Sequence, residues 1–206
     1  MNDSVLIELH YFPSIEYFVQ IAQFPHVLIE AHENYQKGSY RNRCHIATSQ
    51  GVQVLSVPLK KGKNSRQNIR EVAISYDTDW QKQHFQSIKT AYGSSPFWSH
   101  YAPMFEKIFQ TKHVFLFDLN LEITTLIFKI LKLKTEITFT NAFETIFTEG
   151  VDGRNKIIPN STSFAGKKYA QVFEDKNGFL PNLSVLDLIF CSGNQAVLVL
   201  SSTLGL

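Results

Sequence analysis

Between Glu30 and Ile46 the chain gathers three cations (Lys37, Arg41, Arg43), two carboxylates, two histidines, two tyrosines and a cysteine within seventeen residues. Read as an extended strand from Tyr40, side chains alternate between faces. Arg41, Arg43 and His45 then share one face, and Tyr40, Asn42, Cys44 and Ile46 the other. A guanidinium offers a planar fork of donors matched to phosphate or carboxylate. The first face is therefore a candidate clamp for an anionic donor, with ion pairing to Glu30, Glu33 or Asp187 as the competing use of the same arginines.

Three further groups could move protons. His10 and His32 are candidate general bases, because imidazole titrates near neutral pH. Asp187 stands among Val185, Leu186, Leu188, Ile189 and Phe190, where an unpaired carboxylate is costly. It is either a site residue or a capping group that accepts from the backbone amide of Ser184. His84 lies on the apolar face of its helix and reads as a hydrogen-bonded core residue, and Cys44, beside Ile46, as an inert buried thiol.

The elements that must position these groups follow from periodicity. Val5 to Leu9 reads as a buried strand, Ser14 opens a helix through Ile15, Phe18, Val19 and Ala22, and Val27 to Ile29 is a second strand. Short connections predict a parallel β-α-β unit, with the His10 to Pro13 loop at the end of an α/β sheet beside a helix N-terminus that favours negative charge. Tyr40 to Thr48 and Val52 to Pro58 read as an antiparallel hairpin turning at Ser49-Gln50-Gly51. A turn centred on Gln50 brings Arg41 and Arg43 opposite Leu59, Lys60 and Lys61, so Lys37, Arg41, Arg43 and Lys60 are the candidate donor-binding cations.

Val72 to Ser75 reads as a further strand. Helices are predicted from Thr78 to Ala91, with Trp80, His84, Ile88 and Tyr92 on one face, and from Pro96 through Ile108. The apolar run Val114 to Leu133 carries Asp118, Asn120, Glu122, Lys129 and Lys132, and so reads as a buried helix from about Asn120 rather than a membrane span. Glu136 to Thr140 can be a strand. Glu149 to Leu183, rich in glycine and proline, is irregular and reads as a lid bordering the site. Ser184 to Phe190 is helical to about Gly193, and Ala196 to Leu200 is helix or strand.

Composition bounds the function classes. At 206 residues with 44% apolar content one domain, 1–206, is expected. A net charge of +2 from 20 basic and 18 acidic residues gives no general pull toward nucleic acid. The two cysteines, Cys44 and Cys191, lack metal-type spacing, no metal centre is expected, and no cofactor fingerprint is visible. The N-terminus carries no secretory pattern, so a cytoplasmic protein without a transmembrane segment is expected.

Several pieces in order resemble the WbqC-like family of bacterial surface-polysaccharide clusters. They are Tyr11-Phe12-Pro13 with Tyr17-Phe18, Asn34-Tyr35-Gln36-Lys37 leading into Tyr40-Arg41-Asn42-Arg43, Leu55-Ser56-Val57-Pro58, Trp80 with His84, Ala91-Tyr92, Ser95-Pro96 and Gly178 to Leu188. Leu9-His10 and Ser14-Ile15 stand where relatives often carry Gln-Pro and Trp-Gly. The resemblance implies a transferase in O-antigen-type polysaccharide synthesis, with acyl or aminoacyl transfer to a sugar the usual suggestion. The expected fold is mixed α/β: an N-terminal β-α-β unit plus an antiparallel hairpin, followed by a helical region. The expected partners are a small-molecule anionic donor and a sugar acceptor, and the alternative is a non-catalytic small-molecule or partner-binding module of the same fold.

Overall fold

A computed structural model describes residues 3–60, 67–159, 161 and 164–203. Lys61, one of the cations expected at the hairpin mouth, lies outside these residues. Strands β1 (Ser4–Ile7) and β2 (His26–Ile29) pair in parallel, Ser4 with His26 through Ile7 with Ile29, and helix α1 (Ile15–Ile21) crosses between them. Val5, Ile7, Val27 and Ile29 are buried together with Phe18 and Ile21 of the helix, so the sheet's alternation and the helix's stripe meet in one core.

An antiparallel hairpin follows, β3 (Arg43–Thr48) and β4 (Gly51–Ser56), with Arg43 opposite Ser56 and Thr48 opposite Gly51. Its two-residue turn ends on Gly51 at φ +104, a conformation that favours glycine. The helical region is α2 (Trp80–Tyr92), α3 (Trp98–Gln110) and α4 (Leu116–Leu131). Trp80, His84, Ile88 and Tyr92 are all buried on the predicted face. α4 starts four residues earlier than the sequence suggested, which places Asn120 inside the helix and under the site.

β5 (Glu136–Phe139) pairs in parallel with β2, and β6 (Val151–Asp152) in parallel with β1, giving a sheet of order β5-β2-β1-β6. Strand β6 interrupts the segment read as irregular. Val72 to Ser75 is no strand: Ala73 and Ile74 make isolated bridges to Phe115 and Leu59. After a single-turn helix α5 (Glu174–Asn177), α6 (Val185–Ser192) and α7 (Ala196–Thr203) close the fold. The stretch Val185–Thr203 is long and apolar enough to cross a membrane by length and composition, with half of its most apolar window buried. Gly193, at φ +53, interrupts it between α6 and α7.

A buried ionic cluster at the strand ends as the candidate functional site

Because the four strands are parallel, their carboxyl ends share one edge. In chain order the strands run outward from β1 through β2 to β5, and the chain then returns to β1's other side with β6. Ligands in open α/β sheets favour the crevice at such a reversal. Gly153 marks the close approach there: its N–H donates to the Leu6 carbonyl at 2.8 Å, and a Cβ would meet that oxygen at 3.1 Å and Gln20 Nε2 at 2.8 Å. Asn155 follows at φ 57, a left-handed conformation that asparagine tolerates. Its backbone N–H donates to both oxygens of Glu8, at 3.3 and 3.1 Å.

Glu8 in turn holds His10. The ring Nε2 lies 3.1 Å from Glu8 Oε1, and His10 is completely buried between the rings of Tyr17 and Tyr40, with centroids at 4.9 and 5.6 Å. Burial alone would raise the Glu8 carboxyl, but the hydrogen bond and charge of His10 and the charge of Arg41 outweigh it and pull the group down to about 2. Burial moves His10 the other way, below its ordinary value. Above the pH range in which His10 is charged, the ionised carboxylate faces a neutral ring and fixes its proton on Nε2. The lone pair is left on Nδ1, which is buried without a hydrogen-bond partner among the described residues.

Arg41 closes the cluster from the other side. Its Nε and Nη2 donate to the two oxygens of Glu33 at 2.7 and 2.5 Å, Nη2 also reaches Asn155 Oδ1 at 2.9 Å, and it lies 3.6 Å from Glu8. Asn120 Nδ2 donates to the Arg41 carbonyl at 2.7 Å. The expectation that Arg41 and Arg43 share a strand face is therefore corrected. The strand begins only at Arg43, Arg41 sits in the preceding turn, and its guanidinium is held inside the protein by Glu33 and Asn155. Arg43 is half-buried on β3, and its Nε has no partner among the described residues.

A second set flanks the first. Arg154 forms a two-pronged pair with Asp152, at 3.0 and 2.8 Å, and its Nη1 donates to Glu30 Oε2 at 2.9 Å. Glu30 Oε1 accepts from the His32 backbone N–H and the Thr140 hydroxyl, both at 2.9 Å. The described contacts thus tie His32 to the site through its backbone.

The remaining sequence-predicted residues lie elsewhere. Lys37 is exposed in a turn, and Lys60, also exposed, donates its backbone N–H to Ala73. The N-terminus of α1, expected as an anion-favouring field, is occupied: Asn182 Oδ1 accepts from the Glu16 N–H at 3.0 Å, and the Leu183 carbonyl from Ile15. Asp187 is fully buried, and Tyr169 donates to its Oδ2 at 3.1 Å, with Gln171 at 3.4 Å. Burial raises this carboxyl to about 7 against those hydrogen bonds. Ser184 caps α6 through its Oγ, but its backbone N–H goes to the His45 carbonyl rather than to Asp187. The segment 149–183 contributes to both places, Arg154 and Asn155 to the strand-end cluster and Tyr169 and Gln171 to Asp187.

His84 is the core histidine its position predicted, with Nδ1 2.9 Å from the Tyr11 hydroxyl and burial lowering it to about 4. Burial likewise pushes the Cys44 thiol well up. Sequence reasoning missed Glu8, Asn120, Arg154 and Asn155. The available signals were a lone carboxylate at the end of an apolar run and a β-like Val-Asp followed by Gly-Arg-Asn.

The model of the WbqC-like protein family matches residues 9–171. The uncharacterized protein Rv1507c of Mycobacterium tuberculosis (strain ATCC 25618 / H37Rv) is 25% identical over 228 residues, covering 95% of this chain and 96% of that protein. No solved structure matches. With the family match running from the first turn after β1 through the whole of the strand-end cluster except Glu8, this chain belongs to the WbqC-like protein family.

Proposed function

We propose that this protein is a transferase of bacterial surface-polysaccharide biosynthesis, working in the cytoplasm, that moves an acyl or aminoacyl group from an activated donor to a sugar. One observation carries the reading: His10 is held by Glu8 through Nε2 and keeps on Nδ1 a lone pair without a partner among the described residues. That is the arrangement of an oriented general base. In the transfer, Nδ1 takes the proton from the acceptor hydroxyl or amine as that group attacks the donor carbonyl. A bond from the carbonyl carbon to the acceptor forms, the bond to the leaving group breaks, and the proton passes to the leaving group. Arg43, whose Nε has no partner among the described residues, is the arginine left to meet an anionic donor.

The second reading, a binding module without catalysis, is favoured by the complete burial of His10 and the internal pairing of Arg41. The experiment separates the two. Nucleotide sugars, acyl carriers and aminoacyl donors are screened by thermal shift, hits are combined in pairs, and the sugar is followed by mass spectrometry. Transfer that falls by about 10²-fold or more in His10→Gln, with the fold intact, supports the catalytic reading. Ligand shifts without any mass change in the sugar support the binding module.

A further inference from the structure

Three grooves converge on the end of α4. The largest, about 620 Å³, runs between α3 and α4 over Met104, Ile108, Leu126 and Ile130. A second, about 580 Å³, lies between α4 and β5 over Leu121, Phe128 and Ile137. A third, about 350 Å³, continues from Ile130 to Val197 and Leu198 of α7. Lys132 borders all three, Lys129 the first two, and Lys107 the first.

Lys107 and Lys129 stand in the last turns of their helices, and Lys132 is the left-handed cap of α4. Helix carbonyl ends favour cations there, which accounts for the charge but not for apolar channels meeting at it. None of the three lysines forms a salt bridge among the described residues. Glu122, which lines the largest groove, is engaged by His113 Nε2 at 2.6 Å. The rim is therefore positive over an apolar floor, and each volume falls within the roughly 300–1,000 Å³ typical of small-molecule sites.

We propose that this groove system binds one anionic amphiphile, its phosphate or carboxylate head on Lys129 and Lys132 and its hydrocarbon tail along the Met104, Ile108, Leu126 and Ile130 channel. The shape selects a single chain over a bilayer surface. Bilayer docking needs apolar side chains that protrude together, whereas along the tail channel Ile108 is 2% exposed and Leu126 and Ile130 are half-buried, with Met104 at 42% at its mouth; Leu198, at 67%, and Phe139, at 38%, protrude one at each of the other two grooves. The site shares no residue with the His10 cluster, so it stands whether or not that cluster is catalytic.

The test is calorimetric titration of the full chain with dodecyl phosphate below its micelle concentration. Neutral dodecyl maltoside, inorganic phosphate and phosphatidylglycerol vesicles serve as comparisons. The proposal expects saturable one-to-one binding of dodecyl phosphate. In the double variant Lys129→Gln, Lys132→Gln it should weaken by about tenfold or more, the loss expected of a charge-assisted contact. Met104→Glu should weaken it independently, and neither variant should lower thermal melting by more than a few degrees, about the loss of helix-end charge. Equal binding of phosphate alone, equal binding of the maltoside, no response to the variants, or binding to vesicles with none to the monomeric amphiphile would each overturn it.

Discussion

The backbone N–H of Asn155 lies 3.1 Å from Glu8 Oε2, while its side-chain oxygen accepts from Arg41 at 2.9 Å. One residue just after β6 therefore fastens the end of β1 to the turn before β3, and it does so from the left-handed region at φ 57. Asn155→Gly keeps the backbone but loses the acceptor, and should cost about 1 kcal/mol. Asn155→Ala adds strain at that φ and should cost about 1–3 kcal/mol. Urea denaturation of both variants checks the order; alanine costing no more than glycine would mean that the conformation carries no penalty.

The two arginines of the hairpin entrance should separate cleanly. Arg41 is buried in a two-pronged pair with Glu33, so removing either partner leaves a charge stranded in the interior. Arg41→Gln or Glu33→Gln should cost about 3–5 kcal/mol. Arg43→Lys should change stability by less than about 1 kcal/mol, and should weaken a phosphate- or carboxylate-bearing ligand by about 1.5–3 kcal/mol if the guanidinium meets it. Denaturant midpoints for the two positions, with calorimetry against any hit from the donor screen for Arg43→Lys, decide between the roles.

Asp187 should be a liability at alkaline pH. Its folded value, about 7, stands above its ordinary 3.8, so the unfolded chain releases this proton first as pH rises. The stability held by the neutral carboxyl is complete below about pH 4 and is lost as pH climbs through 7. A displacement of about three units corresponds to at most about 4 kcal/mol. Asp187→Asn should flatten the stability curve between pH 4 and 7 and leave the protein more stable than wild type at pH 8. Parallel urea titrations at pH 5 and pH 8 read this directly, and no gain at pH 8 would show that Tyr169 and Gln171 solvate the carboxylate fully.

What the sequence made legible divides along a physical line. The parallel β1-α1-β2 unit, the hairpin and the buried face of α2 rest on short-range periodicity, and the structure has them within a few residues. The pairing of β6 with β1 rests on a two-residue strand about 145 positions away, which leaves no periodic trace. The cluster depends on that pairing, because β6 brings Arg154 to Glu30 and Asn155 to Glu8. His10 and Arg41 were visible as residue types, and Glu33 stood among the ion-pair partners weighed for Arg41, but Glu8 and Asn155 were not foreseen. The expected clamp failed first at the assumption that strand alternation begins at Tyr40, whereas the chain still turns at Arg41 and Asn42, and again at the α1 N-terminus, which Asn182 and Leu183 occupy. Asp187 was recognised as costly from its apolar neighbours, yet its partners Tyr169 and Gln171 come from a segment with little regular structure.

Glu8 should govern both the chemistry and the acid stability. Its carboxylate fixes His10 through Nε2, accepts from the Asn155 backbone and faces Arg41 at 3.6 Å, so Glu8→Gln removes a charge that three groups share. The Gln oxygen can still accept from Nε2–H, but the amide can also turn its NH2 toward the ring and move the ring proton to Nδ1. The base would then be lost, and transfer should fall by about 10²-fold or more, as in His10→Gln. Stability supplies an independent reading. The folded carboxyl lies at about 2 against an ordinary 4.5, so its contribution is present above pH 4.5 and disappears as pH falls toward 2. That displacement amounts to about 3 kcal/mol at most. The destabilisation by Glu8→Gln should therefore be large at pH 7 and much smaller at pH 2.5, measured by denaturant melts at both values. A penalty that is the same at both would mean that Glu8 acts through shape and hydrogen bonding alone, and the carboxylate would lose its place as the group that orients His10.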